Sequence, residues 1–408
     1  MKKSSRRTFL GSLGLAAAAA AAVNASPLVG KTLLPELDTS KVKDLVIQKV
    51  ETFLIKRMIL IKVTCSDGTV GWGESSSNSP MEVVRAFIDE TMGKAIIGKN
   101  PFDTNAIWQE LFWVNHDLGP SGALSYAVAG IDLALWDIKG KLTDQPVYNL
   151  LGGKLRDRIP AYAGIPLRGG SIPVNEAIAR AKKLADIGFK VVKLRMQIRE
   201  YDLNPQPDPT VKYYKAIRKA LPDDVALFVD PNEGYTAAQA ILIGKELQQL
   251  GMPYFESPVP RENNVDLKAI VAALDIPVWA GEKCYTRWEF RDLISQGNPD
   301  VINPDLIKAG GISEVKRIAD LAQVFFKQVV PHNTKPTLGT AAALHLMASI
   351  ENAGPLIEFV ELDTYKDVLS IFPKEQLHYL QDDGTLKVPE LAGLGMEVNE
   401  KQLKKVML

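Results

Sequence analysis

Asp223 to Tyr235 reads DDVALFVDPNEGY, an apolar run that ends abruptly in an acid, a proline, an amide and a second acid. A short run of this composition, bounded by turn-forming residues, is a strand buried on both faces. The same grammar recurs along the chain. It begins with RIPAYAGI (158–165) and GFKVVKLRM (188–196) and continues after Asn232 with MPYFESPV (252–259), IPVWAGEK (276–283), PDVINPDL (299–306), KQVVPHN (327–333) and PLIEFVE (355–361). Amphipathic stretches such as AAQAILIGKELQQL, ISEVKRIADLAQVF and TAAALHLMASI fill the gaps. Strands alternating with helices predict a parallel α/β sheet, and closing such a sheet gives a (β/α) barrel of about 200–250 residues. The predicted barrel covers 159–368.

The strand ends carry the chemistry. Asp230, Glu256 and Glu282 lie 26 and 26 residues apart, and Asp305, His332 and Glu358 follow at intervals of 23, 27 and 26. That interval is one βα unit, so each residue falls near the C-terminal end of a successive strand, where barrel enzymes gather their catalytic groups. A single acid at a strand end is more often a helix cap. Three such acids in one barrel mouth would repel and resist ionisation. A cation removes the conflict. Oxygen ligands suit Mg²⁺, and no cysteine or histidine in the trio favours zinc, so Asp230, Glu256 and Glu282 are the expected metal ligands. Asn232, two residues beyond Asp230, shares its face and is expected to hydrogen-bond a ligand or the substrate.

Lys193 and Arg195 end the second predicted strand on one face. They either pair with the acids across the mouth or meet a substrate anion. The second reading is preferred, with Lys193 on a substrate carboxylate, because burying bare cations beside a metal site is costly. Arg195 stays protonated and suits holding an anion rather than taking a proton. His332 is one of four histidines. With Asp305 fixing its tautomer from the neighbouring strand, it is the candidate base. Glu358, with Glu361 as a competing candidate, is placed on the other side of the substrate, and both could instead be structural. His116, His345 and His378 are given no role.

Ahead of the barrel, LVIQKVETFLI and ILIKVTCSDGTVGWGE alternate around the turn pair Asp67-Gly68, and helical stretches follow, as in ALSYAVAGIDLALWDIKGKL (123–142). This predicts an α+β capping domain over 41–158. The C-terminal segment 369–408 is too short to be a domain and is expected to return to the cap. The N-terminus, SSRRTFLGSLGLAAAAAAAVNAS (4–26), sets an arginine pair before an apolar stretch and a small-residue site. It reads as a twin-arginine-type export signal over 1–25, followed by a linker over 26–40, and predicts a periplasmic protein. An uncleaved anchor is the alternative, but Leu10 to Val23 is shorter than the ~20 apolar residues a spanning helix needs. Lysine plus arginine and aspartate plus glutamate number 48 each, which argues against nucleic acid as a partner. Cys65 and Cys284 stand far apart, as buried free thiols would.

GWGE (71–74), AGIDLALWDIKGKLTDQPVYNLLGG (129–153), KLR (193–195), DPN (230–232), FES (255–257), GEK (281–283), NPDLIKAGG (303–311) and PHN (331–333) form an ordered set. That set resembles the enolase superfamily, in its mandelate racemase/muconate lactonizing enzyme branch, and in particular galactonate-type acid-sugar dehydratases. The resemblance spans nearly the whole chain after the signal. It implies a (β/α)7β TIM-like barrel capped by the N-terminal domain and the C-terminal segment. It also implies Mg²⁺ on the three acids, and removal of the proton next to a substrate carboxylate. Racemases of the family carry a lysine at the second basic position of the second strand, where this chain has Arg195. A single base at His332–Asp305 suits β-elimination, which predicts dehydration of an aldonate or aldarate to a 2-keto-3-deoxy acid. A racemase, epimerase or cycloisomerase is the nearer alternative, and an exported sugar-acid binding protein the more distant one. Cap loops SSSNSP (75–80) and NHDLGPSG (115–122) are expected to close over a small carboxylate substrate, and a homo-oligomer is implied by analogy with the family.

Overall fold

The segment Met58–Cys65, MILIKVTC, alternates its side chains between two cores, as a strand must. Met58 and Leu60 join one apolar cluster, Ile59, Ile61 and Val63 the other. The strand is covered on both faces because its sheet is sandwiched between cap helices and barrel. The computed structural model describes residues 40–408 apart from 57 and 77–79. The predicted export signal and linker therefore lie outside the described residues, save for Ser40.

The cap sheet is antiparallel, in the order β1 (Ile47–Ile55), β2 (Met58–Cys65), β3 (Val70–Ser76). The predicted Asp67-Gly68 turn joins β2 to β3, with Thr69 N donating to Asp67 Oδ1 at 2.9 Å. Helices α1 (Thr104–Asn115) and α2 (Ala123–Thr143) close the cap. Eight parallel strands then follow: β4 (Arg158–Pro166), β5 (Val191–Arg195), β6 (Ala226–Asp230), β7 (Phe255–Glu256), β8 (Val278–Ala280), β9 (Val301–Ile302), β10 (Gln328–Val329) and β11 (Ile357–Glu358). Their order is β10-β9-β8-β7-β6-β5-β4-β11. The last strand is thus brought back beside the first, which is the (β/α)7β arrangement. Helices α3 (Val174–Ile187), α4 (Thr210–Ala220), α5 (Ala237–Gln249), α6 (Asn264–Ala273), α7 (Arg287–Asp292), α8 (Gly311–Val324) and α9 (Leu338–Ser349) make the crossovers. Immediately after β11 no crossover helix follows, only the single turns Leu362–Tyr365 and Lys366–Leu369.

Alternate strands fill the barrel with one aromatic layer: Tyr162 from β4, Phe228 from β6 and Trp279 from β8, with ring centroids 5.2–6.0 Å apart. This buried layer is the floor beneath the strand-end acids. Lys193 Nζ lies 5.2 Å from the Tyr162 ring.

The motif around α2 is a docking surface. Asp132 accepts a bond from Ser313 N at 2.9 Å, at the start of α8, and Trp136 Nε1 donates to Ser313 Oγ at 2.9 Å. Gly311 must be a glycine there, since its φ is +85° and a Cβ would stand 2.4 Å from Asp132 Oδ2. The C-terminal segment does more than return to the cap. Its strand β12 (Thr385–Lys387) first pairs antiparallel with the start of β4. Only then does it reach the cap, with Leu394 N donating to Asp137 Oδ1 at 2.8 Å and Leu408 N to Leu54 O at 3.0 Å.

Candidate active site

The barrel brings the three predicted ligands together. Asp230 and Glu256 are the last residues of β6 and β7, and Glu282 lies two residues past β8. They offer ligand oxygens within 4.8 Å of one another, all buried, and form the one such cluster among the described residues. The backbone turns sharply at each. Asn232 and Glu233 follow Asp230 at φ 57° and 65°, Ser257 follows Glu256 at 41°, and Gly281 precedes Glu282 at 125°. Left-handed conformations at residues with side chains cost energy and gather where geometry is functional.

Burial is unfavourable for this trio. It raises the Asp230 carboxyl, with Glu282 adding to the effect and Lys193 opposing it, and it raises Glu256 well above the ordinary range. Burial pulls Glu282 the same way, but His332, Lys193 and Arg195 hold it low. Glu282 Oε2 is buried and makes no hydrogen bond, although His332 Nε2 stands 3.3 Å away. An all-oxygen, like-charged, buried set with an unused acceptor fits a hard dication such as Mg²⁺.

The predicted cations sit beside it. Lys193 Nζ lies 3.0 Å from Glu256 Oε2, 3.1 Å from Glu358 Oε1 and 3.8 Å from Asp230 Oδ2. The less favoured reading of Lys193, ion pairing across the mouth, is thus what the geometry contains, because an ammonium buried among carboxylates needs them as partners. Burial would lower it, yet Glu256, Glu358 and Asp230 together hold it protonated. Asn232 is spent on the ligand. Its Nδ2 donates to Asp230 Oδ2 at 2.8 Å and its Oδ1 accepts from Gln197 N at 3.0 Å, so of its two expected partners it holds the ligand rather than facing a substrate. Arg195 makes no ion pair among the described residues, and its buried Nε has no partner.

His332 Nδ1 lies 2.7 Å from Asp305 Oδ2. Lys308, which sequence reasoning passed over, stands 2.6 Å from the same oxygen. Burial would raise Asp305, but Lys308 and His332 keep it below the ordinary carboxylate range. The available signal was spacing: Lys308 follows Asp305 by three residues, and a turn, Lys308 N to Asp305 O at 3.0 Å, folds the two together. Asn303 was also missed; its Nδ2 donates to Glu256 Oε1 at 3.0 Å. Of the competing acids, Glu358 is in the mouth, accepting from Asn333 N at 3.0 Å, whereas Glu361 pairs with Lys183. His345 and His378 are buried, and burial pushes them down to about 3 and about 4, consistent with neutral structural roles. Cys65 and Cys284 are free and buried, as expected.

A cavity of about 220 Å³ opens above these groups, and the cap supplies Ser76 and Tyr126 to its wall. Within the first predicted loop, residues 77–79 lie outside the described residues. None of 115–122 lines this cavity; Ser121 bonds instead to Glu289, behind the lining residue Tyr285. A larger cavity of about 500 Å³ adjoins, sharing Arg195, Thr334 and Tyr365 with the first. No helix among the described residues is long and apolar enough to cross a membrane.

Residues 39–152 match the mandelate racemase/muconate lactonizing enzyme N-terminal domain, and residues 176–402 the enolase C-terminal domain-like family. The chain is 33% identical over 353 residues to a D-galactarolactone cycloisomerase of Agrobacterium fabrum, covering 85% of this chain and 90% of that protein. It is 33% identical over 359 residues to a D-galactonate dehydratase of Pectobacterium atrosepticum, covering 87% and 92%. A mandelate racemase/muconate lactonizing protein from Paracoccus denitrificans, solved in complex with magnesium, superposes with a TM-score of 0.82 at 30% identity, over 89% of this chain and 98% of that one.

Proposed function

The chain belongs to the mandelate racemase/muconate lactonizing enzyme family of the enolase superfamily, and from that premise we propose that it is a Mg²⁺-dependent dehydratase converting an aldonate or aldarate to a 2-keto-3-deoxy acid. Its relatives make it an enzyme, with lyase chemistry first and isomerase chemistry second. The observation that carries the reading is a mouth with one base. Lys193 is held protonated by Glu256, Glu358 and Asp230, and Arg195 is an arginine, so neither takes a proton. His332, which lines the cavity, remains, its Nδ1 committed to Asp305 and its Nε2 lying 3.3 Å from Glu282 Oε2.

In the proposed reaction, His332 Nε2 removes the proton from the carbon next to the substrate carboxylate. The C–H electron pair moves toward that carboxylate, and the protonated Lys193, from its place among Glu256, Glu358 and Asp230, adds positive charge beside the developing anion. Mg²⁺ held by Asp230, Glu256 and Glu282 would supply the remaining electrostatic stabilisation. The imidazolium then returns its proton to the β-hydroxyl as the C–O bond breaks, and water leaves. The resulting enol tautomerises to the 2-keto-3-deoxy acid. Asp305 and Lys308 orient the ring throughout.

Incubation with a panel of aldonic and aldaric acids plus Mg²⁺ is expected to yield keto acid. Epimers without any keto acid would defeat the dehydratase. The similarity to a cycloisomerase, with the same one-base geometry, favours ring-opening isomerisation of a sugar-acid lactone or anhydride as the second reading. Solvent deuterium incorporated without loss of water would select it. We further propose that residues 1–25 direct the enzyme to the periplasm, which cell fractionation of a tagged full-length chain would test.

A further inference from the structure

We propose that the substrate is a dianion, an acid sugar of the aldarate class with a carboxylate at each end, and that Arg195 and Arg199 receive the far one. This rests on the acid-sugar reading above. The wall of the 220 Å³ mouth cavity is strongly basic: Arg195, Arg199, Lys283, Lys308 and Lys335 line it, against the single acid Glu282. Two of these cations are already neutralised. Lys308 stands 2.6 Å from Asp305, and Lys283 lies 2.8 Å from Glu233 and 3.1 Å from Glu200. Lys335 lies against the ring of Tyr365.

The two arginines differ from these. Among the described residues neither makes an ion pair at contact distance, and Arg195 Nε is buried without a hydrogen-bond acceptor, although the charges of Glu358, Asp230, Glu282 and Glu256 keep its guanidinium protonated. Both leave β5 on the same short segment, four residues apart. A guanidinium taken out of water needs an acceptor, and its planar fork matches a carboxylate better than a hydroxyl. The fold makes room for Arg195 at a cost elsewhere, since Gly164 on β4 lies under its stem and a Cβ there would stand 2.9 Å from Arg195 Cδ. Arg195 borders the 500 Å³ cavity as well as the mouth, so it stands between the metal-ligand end of the site and the larger space into which the far end of a substrate can extend.

The experiment compares matched pairs, galactarate with galactonate and glucarate with gluconate, which differ only in a carboxylate or a hydroxymethyl at the far carbon. Steady-state kcat/KM is measured on the Mg²⁺-loaded enzyme, and binding by calorimetry on Mg²⁺-loaded His332→Asn protein, where no turnover intervenes. The dianion of at least one pair is expected to be preferred about 30-fold or more. Arg195→Gln and Arg199→Gln should each lower that ratio about tenfold, with the lysine variants intermediate. Gly164→Ala, which keeps the charge but displaces the stem, should lower it too. A ratio near one in every pair, dianions that do not bind, or a preference untouched in both arginine variants overturns the proposal. Absence of keto acid from all substrates defeats the dehydratase reading instead, while the binding ratio on His332→Asn still decides this one.

Discussion

Nδ1 of His332 stands 2.7 Å from Oδ2 of Asp305, which leaves Nε2, 3.3 Å from Glu282 Oε2, as the ring nitrogen to act as the base. An amide in place of that carboxylate would donate a proton to Nδ1 and force the ring's own proton onto Nε2, where a base is needed. Asp305→Asn is therefore expected to lower kcat about 10³–10⁴-fold while Mg²⁺ binding persists. Loss of solvent deuterium exchange at the substrate carbon, with calorimetric Mg²⁺ binding intact, is the confirming pattern.

The metal trio makes a second prediction. A chelator should abolish activity and added Mg²⁺ should restore it. Because binding stabilises only the folded state, Mg²⁺ at a hundredfold excess over Kd adds about 2.7 kcal/mol, read as a rise in Tm. Asp230→Asn should lose most of that rise. An unchanged Tm in the unmodified enzyme would count against the site.

Glu74, at the end of β3, is tied to the start of α9, where Thr337 Oγ1 donates to it at 2.6 Å. Burial raises its carboxyl to about 7, against the opposing pull of Thr337, Gly339 and Lys335. The folded protein thus holds a proton that the unfolded chain has lost above its lower carboxylate pKa. Stability from this group is full below the unfolded value and falls as pH rises toward about 7. Glu74→Gln removes that penalty and keeps an acceptor for Thr337. Urea unfolding should show the variant gaining on the unmodified enzyme by up to about 3 kcal/mol between pH 5 and pH 8.

At the cap–barrel junction, Gly311→Ala forces a side chain to φ +85° and into Asp132. It should destabilise by more than about 2 kcal/mol. Asp132→Asn keeps the acceptor for Ser313 N and should cost less than about 1 kcal/mol. Chemical denaturation of the two variants separates close approach from charge as the requirement at this contact.

Spacing alone carried much of the site into view. Asp230, Glu256, Glu282, Asp305, His332 and Glu358 were legible because each closes a βα unit, and a barrel converts equal sequence intervals into neighbouring positions around one mouth. The α2 motif was legible as a pattern but not as a function; that Asp132 meets the start of α8 depends on how the cap sits on the barrel. Lys308 and Asn303 lay inside a quoted motif and were still missed, since turns past the strand ends have no period to read.

The amino-acid order by itself determined the strands, their parallel arrangement and the side chains at their C-terminal ends, because hydrophobic period and unit length are local quantities. Which partner each of those side chains takes was decided by the tertiary structure alone. Lys193 faces Glu256 and Glu358, Asn232 is consumed by Asp230 and Gln197, and Arg195 Nε is left without an acceptor among the described residues. Those outcomes turn on ångström-scale distances between different strands and on left-handed turns that re-aim the chain, and electrostatics in a buried mouth depends on distance rather than on position in the chain.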